Sequence, residues 1–166
     1  MGEAGVGGGA AAAGPLWLAA GLRGAMCAHA RRERPLEACG LLAGEGVRAS
    51  AFFPTRNALA SPTRYDIAPQ DLLRVTMDLE ARGQGIWGIF HSHPTTAAYP
   101  SPTDVRLAFY PEAYYLICSL ADPAAPVLRA FRITDGQIQE YALCAEDAVG
   151  GEGAGGGAEA GQGMRP

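Results

Sequence analysis

Apolar positions change their period several times along this chain, and the changes mark out its elements. Between residues 16 and 32, Leu18, Leu22, Met26 and Ala30 recur at every fourth position, the spacing of an amphipathic helix. Arg31 and Arg32 gather at its C-terminal end, where the helix dipole favours cations, and Pro35 stops it. EACGLLAG (37–44) is a short apolar run closed by glycine and predicts a buried strand. VRASAFFP (47–54) predicts a second, with Gly44-Glu45-Gly46 as the hairpin turn. After a polar connection over 55–68, PQDLLRVTMDLEAR (69–82) opens with proline at a first helical position. It carries Leu72, Leu73, Val75, Met77 and Leu79 and predicts a second helix, ended by Gly83. IWGIF (86–90) is apolar throughout, as a central strand covered on both faces is.

A loop over 94–101 with two prolines leads into SPTDVRLAFY, a helix start with Ser101 or Thr103 as its N-cap. AYYLICSL (113–120), VLRAFRI (127–133) and QIQEYAL (137–143) predict three more strands. Thr134-Asp135-Gly136 joins the last two, and Asp-Gly is a strong hairpin signal. Mixed strands and helices with hairpins at both ends predict an α/β sandwich around a mixed sheet.

Composition narrows the picture. Of the 23 glycines in 166 residues, 6 fall within 1–14 and 8 within 150–163. Segments 1–14 and 146–166 lack apolar periodicity and bury too little to offset the entropy of ordering, so they are expected to be flexible tails around one domain over 15–145. The net charge of −4 and the lack of a basic cluster beyond Arg31, Arg32 and Arg34 argue against a nucleic-acid partner. All 13 basic residues are arginines, so no internal lysine is available as an attachment point. AAAAGPLWLAA lacks the basic start of a signal peptide, and no run reaches membrane-spanning length. The expectation is a soluble cytoplasmic protein without a membrane partner. Cys27, Cys39, Cys118 and Cys144 form no C-x-x-C, which argues against a cysteine metal cage. Free buried thiols are expected, with a Cys39–Cys118 bridge left open.

The chemistry concentrates in GIFHSHPTTAAYPSPTD (88–104), which holds two of the three histidines. Strand side chains alternate faces, so His91 and His93 point the same way if IFHSH stays extended. Two imidazoles so placed suit adjacent corners of a zinc tetrahedron. Asp104, eleven residues after His93 across the proline-bearing loop, is the candidate third ligand, leaving one position for water. Glu37 is the candidate proton carrier, because a carboxylate opening an apolar strand is expensive without a task or a partner. Ser101 is the candidate donor to an oxyanion. Taken singly, each of these has an ordinary reading: a surface H-x-H, a helix N-terminal carboxylate, an N-cap, a strand-edge acid. Only their combination argues for chemistry. His29 has no partner pattern and is expected to be structural. Tyr99, in the loop, is read as an exposed aromatic, with a role capping a substrate groove as the alternative.

The combination resembles the JAMM motif of the MPN-type metalloprotease family, small prokaryotic type: Glu37, then His91-Ser92-His93, seven residues, Ser101, two residues and Asp104. RPLEACGLLAG, NALASPTRYDIAP, AYYLICSL and LRAFRI are similar to that family's flanking segments, over about residues 16–143. The resemblance implies His91, His93 and Asp104 as ligands of one Zn2+ per chain, Glu37 as general acid/base and Ser101 supporting the oxyanion. It implies the three-layer sandwich with a mixed central sheet shared with cytidine deaminases. It also implies hydrolysis of a peptide or isopeptide bond, often just after the Gly-Gly of a ubiquitin-like protein. Small bacterial relatives process sulfur-carrier proteins, including removal of a C-terminal cysteine. The short connections here leave little room for the insertions that hold polyubiquitin. A non-enzymatic scaffold is the alternative, and a homodimer stays open. A deaminase is disfavoured, because that chemistry uses H-x-E with a later P-C-x-x-C. A narrow, dry groove beside the metal is expected, since an extended Gly-Gly tail fits only where bulky side chains are excluded.

Overall fold

The structure, a computed structural model, describes residues 14–146. The tails expected over 1–14 and 146–166 lie outside them, apart from Gly14 and Glu146. The chain runs β1 (Leu16–Leu18), α1 (Leu22–Glu33), β2 (Cys39–Glu45), β3 (Arg48–Thr55), α2 (Pro69–Ala81), β4 (Gly88–His93), α3 (Pro102–Arg106), β5 (Tyr114–Ser119), β6 (Val127–Thr134), β7 (Gln137–Tyr141) and β8 (Leu143–Ala145). One mixed sheet contains all eight strands of the described residues, in the order β7-β6-β5-β4-β2-β3-β1-β8.

The helix expected over 16–32 is two elements. Leu16 and Leu18 are fully buried while Trp17 between them is exposed, which is the period of a strand. Gly21, at φ 82°, then turns the chain into α1, a conformation glycine adopts without a Cβ clash. The fourfold repeat counted Leu18 into a helix it precedes. The strand expected over 137–143 also divides. At Ala142 the chain leaves one edge of the sheet, and β8 pairs with β1 in parallel on the opposite edge. Consecutive strands therefore form the two borders, so the sheet is strongly curled. Tyr141 packs edge-on to Tyr114, and Leu143 reaches the core under α1.

Three layers result, as the sandwich reading anticipates. Met26, Cys27 and Ala30 of α1 pack on Phe90, Leu116 and Cys118 on one face of the sheet. Val75 and Leu79 of α2 pack on Leu41, Ile89 and Tyr115 on the other. The faces follow from strand alternation: Ile89 and Phe90 are neighbours in β4 and lie in different clusters. Gly40 belongs to the tightest part, because a Cβ there would come 2.6 Å from the Phe52 ring and 2.8 Å from the Phe53 carbonyl oxygen.

All four cysteines are free. A Cys39–Cys118 bridge is ruled out by the register. Cys39 pairs with His91, whereas Cys118 pairs with Ser92, one residue on and so on the opposite face. The Cys39 sulfur lies 3.4 Å from the Thr55 hydroxyl. The Cys118 sulfur lies 4.0 Å from that of Cys27. His29 is structural, as expected: buried in α1, it donates from Nε2 to the Cys39 carbonyl at 3.0 Å.

Candidate metal centre

Strand β4 is buried at every residue, and it extends three residues past the expected IWGIF run to include both histidines. The parallel β4–β5 pairing carries it through His93, opposite Ser119. His91 and His93 therefore share a face, and their Nε2 atoms stand 3.1 Å apart. Ser92, on the other face, accepts the Ala38 N–H at 2.8 Å through its hydroxyl and donates its own N–H to the Ala38 carbonyl at 3.0 Å. This pair of bonds ties the segment just before β2 to the motif strand, and it fixes Glu37 beside the histidines.

The loop after β4 folds back to deliver Asp104. The Ser119 hydroxyl donates to the Thr96 carbonyl at 2.6 Å, and His93 Nδ1 donates to the Ala97 carbonyl at 2.8 Å. Ser101, not Thr103, caps α3: its Oγ accepts from Asp104 N at 3.1 Å, and the Asp104 carboxylate accepts from Ser101 N at 2.7 Å. This reciprocal box orients the carboxylate, whose oxygens lie 3.4 Å from His91 Nε2 and 3.3 Å from His93 Nε2. One ligand-type atom from each of His91, His93 and Asp104 falls within 4.8 Å of the others.

The electrostatics fit a cation at that point. Because a carbonyl only accepts, His93 carries its proton on Nδ1, which turns the Nε2 lone pair to the cluster. Burial pushes the Asp104 carboxyl up, but the contacts with His91 and His93 outweigh it and hold the group well below the ordinary carboxylate range. Burial lowers His91 against the opposing pull of Asp104. At Glu37 burial dominates: it raises the carboxyl to about 7, with His93 opposing and Asp104 adding to the rise. Glu37 Oε2 and His91 Nδ1 are buried without a hydrogen-bond partner among the described residues. Two imidazole lone pairs and a carboxylate converging on one point suit a divalent metal with a vacant position.

Glu37 lies two residues before β2 rather than opening it. Its place comes instead from the connection 55–68: its N–H donates to the Ser61 carbonyl at 2.9 Å, and its carbonyl accepts from Asn57 Nδ2 at 3.0 Å. Asn57 also donates to the Arg64 carbonyl and accepts from the N–H groups of Leu59 and Asp66. A single amide thus organises the whole connection, and with it Tyr65, whose ring stacks on His91 at 4.5 Å between centroids. Asn57 and Tyr65 were not among the residues singled out from sequence. An asparagine heading a turn-rich stretch was the available signal.

A groove of about 380 Å³ runs from Asp104 between the 57–67 connection and the segment after α3. Leu59, Tyr65, Leu107, Phe109 and Tyr110 give it a mostly apolar wall. Tyr99 is not part of that wall. It lies edge-on to Phe131 at 5.5 Å, with Arg129 over its ring at 5.7 Å, and is about half exposed.

The family model described as prokaryotic homologs of the JAB domain matches residues 19–134, which contain all five motif residues. The chain belongs to the prokaryotic JAB-domain family. It is 46% identical over 127 residues to the CysO-cysteine peptidase of Mycobacterium tuberculosis, covering 75% of this chain and 87% of that protein. It is 36% identical over 111 residues to the desampylase of Haloferax volcanii, covering 63% and 80%. The solution structure of a Desulfitobacterium hafniense protein, 36% identical, superposes with a TM-score of 0.73 over 81% of this chain and 95% of that one. The likeness to JAMM-type proteins drawn from the motif is therefore borne out, and the curled mixed sheet between helical layers is the JAB-domain arrangement. Among the described residues, no helix is long and apolar enough to cross a membrane.

Proposed function

We propose that this JAB-domain chain is a zinc metallopeptidase that cuts the peptide or isopeptide bond after the C-terminal Gly-Gly of a ubiquitin-like or sulfur-carrier protein. A C-terminal cysteine is the preferred leaving group. One juxtaposition carries the reaction class: three ligand atoms within 4.8 Å of one another, beside the buried carboxyl of Glu37, whose Oε2 has no partner among the described residues. The His₂Asp donor set supports zinc, one ion per chain. The peptidase and desampylase relatives support the substrate class. Four unbridged cysteines accord with a reducing, cytoplasmic setting.

A metal held by His91, His93 and Asp104 would supply Lewis acidity toward water and toward the scissile carbonyl. The chain's own groups do the rest. Glu37, with Oε2 unpaired, accepts the proton released by the attacking water and delivers it to the departing amine nitrogen. Burial raises the Glu37 carboxyl in the metal-free site, so the apolar surroundings favour its holding the proton between the two transfers. Ser101 uses its oxygen to accept from Asp104 N, which leaves the hydroxyl proton to donate to the oxyanion. The groove ending at Asp104 receives the extended tail along its apolar wall.

The test is to incubate the zinc-loaded chain with carrier proteins bearing a C-terminal cysteine or a lysine-linked adduct, and to follow intact mass. Loss of the adduct at the Gly-Gly junction, abolished by chelator, is the expected result. Tight binding without cleavage at full zinc occupancy would instead identify a scaffold.

A further inference from the structure

The two imidazoles of the centre are held by different means. His93 is oriented through its ring nitrogen, which donates to Ala97, the usual way a ligating histidine is fixed. His91 has no such tether: its Nδ1 is buried and has no partner among the described residues. Contact with its ring face comes from Tyr65, at 4.5 Å between centroids and 20° between planes. Tyr65 is itself fixed in advance, because Asn57 bonds the backbone of its neighbours Arg64 and Asp66. The Asn57–Ile67 bridge closes the same connection. Rotation of the His91 ring would have to displace this immobilised phenol.

We infer that Tyr65 is the positioning residue for His91: its ring stacks on the imidazole and keeps Nε2 directed at His93 and Asp104, in place of the missing hydrogen bond. The inference rests on reading His91, His93 and Asp104 as metal ligands. Metal binding draws electron density from the imidazole, and a phenol face then holds the ring more strongly than in the metal-free state. The stacking thus favours the loaded site, not merely the fold. Tyr65 also lines the groove, so one face of the side chain serves the ligand and the rest serves the substrate channel.

The test measures Zn2+ affinity of the full chain by competition with a chromophoric chelator, together with the visible spectrum after Co2+ substitution. Tyr65→Phe keeps the ring and is expected to bind within about twofold of the unsubstituted chain. Tyr65→Ala is expected to bind about tenfold more weakly and to alter the cobalt bands. Tyr65→Leu keeps apolar volume without a π face. It is expected to bind about fivefold more weakly, and it carries the test should the alanine variant unfold. Unchanged affinity and spectrum in Tyr65→Leu would overturn the inference. So would a loss in Tyr65→Phe as large as in Tyr65→Leu, since the hydroxyl would then be responsible. Failure of the unsubstituted chain to bind Zn2+ would instead sink the metal-site reading itself, and this inference with it.

Discussion

The two faces of β4 are built from alternate residues of one strand and behave as opposites. Toward α1 it presents Phe90, packed edge-on to Phe52, and Ser92, whose hydroxyl is bonded to Ala38. Toward the groove it presents His91 and His93, 3.1 Å apart at Nε2 beside an ionised Asp104. On the first face each buried polar group has found a partner within the chain. On the second, Glu37 Oε2 and His91 Nδ1 have none among the described residues, and an unsatisfied buried polar atom typically costs about 1–3 kcal/mol. One strand thus carries both the core that stabilises the fold and the cluster that loads it. Substitutions on the two faces should therefore separate stability from chemistry.

The largest separation should come from Phe90→Ala against Glu37→Gln. Phe90 is fully buried, and truncation should destabilise by about 3–5 kcal/mol in urea unfolding. Glu37→Gln should lower kcat about 10³-fold while zinc content is kept and the chain is not destabilised in urea. Equal activity in Glu37→Gln would remove the carboxylate from the mechanism. A smaller effect is expected from pH. With metal removed, Glu37 holds its proton more tightly folded than unfolded. Its contribution is complete below about pH 4.5 and lost as pH rises through about 7. Melting at several pH values should show a loss of about 3 kcal/mol across that window, absent in Glu37→Gln. Ser92→Ala strands the Ala38 N–H and should cost about 1–3 kcal/mol of stability. Because that bond also places Glu37, kcat should fall while zinc content stays near one ion per chain. The smallest effect should be Ser101→Ala: loss of about 1 kcal/mol from the cap and of about tenfold or more in kcat from the oxyanion contact.

The motif face was the more legible in the sequence. A strict period of two puts His91 and His93 on one side whatever the rest of the fold does, and a proline-rich loop of fixed length returns Asp104 to them. The strand pattern likewise located β3, β5 and β6 to within a residue or so, because continuous or alternating apolar runs have few other readings. What stayed hidden depends on partners distant in sequence. Leu16–Leu18 is too short to show a period, and it is a strand only because β3 and β8 flank it. Nothing local marks Ala142 as a crossing point. Glu37 was singled out for the wrong local reason, a strand start, when its position comes from its own bonds to Ser61 and Asn57 and from that of its neighbour Ala38 to Ser92. Tyr65 is legible only once the 55–68 connection is closed on itself by Asn57.

The single-residue joint at Ala142 has a consequence for synthesis. Every motif residue has left the ribosome once residue 104 is out, but β1 has only one neighbour until β8 emerges forty residues later. A nascent or truncated chain ending before Leu143 keeps an open hydrogen-bonding border at β1 among the described strands, the kind of edge that recruits a foreign strand. The last of the described strands covers β1 and takes over as the border with only three residues, Leu143–Ala145, so the sheet is completed well after its motif residues have been made.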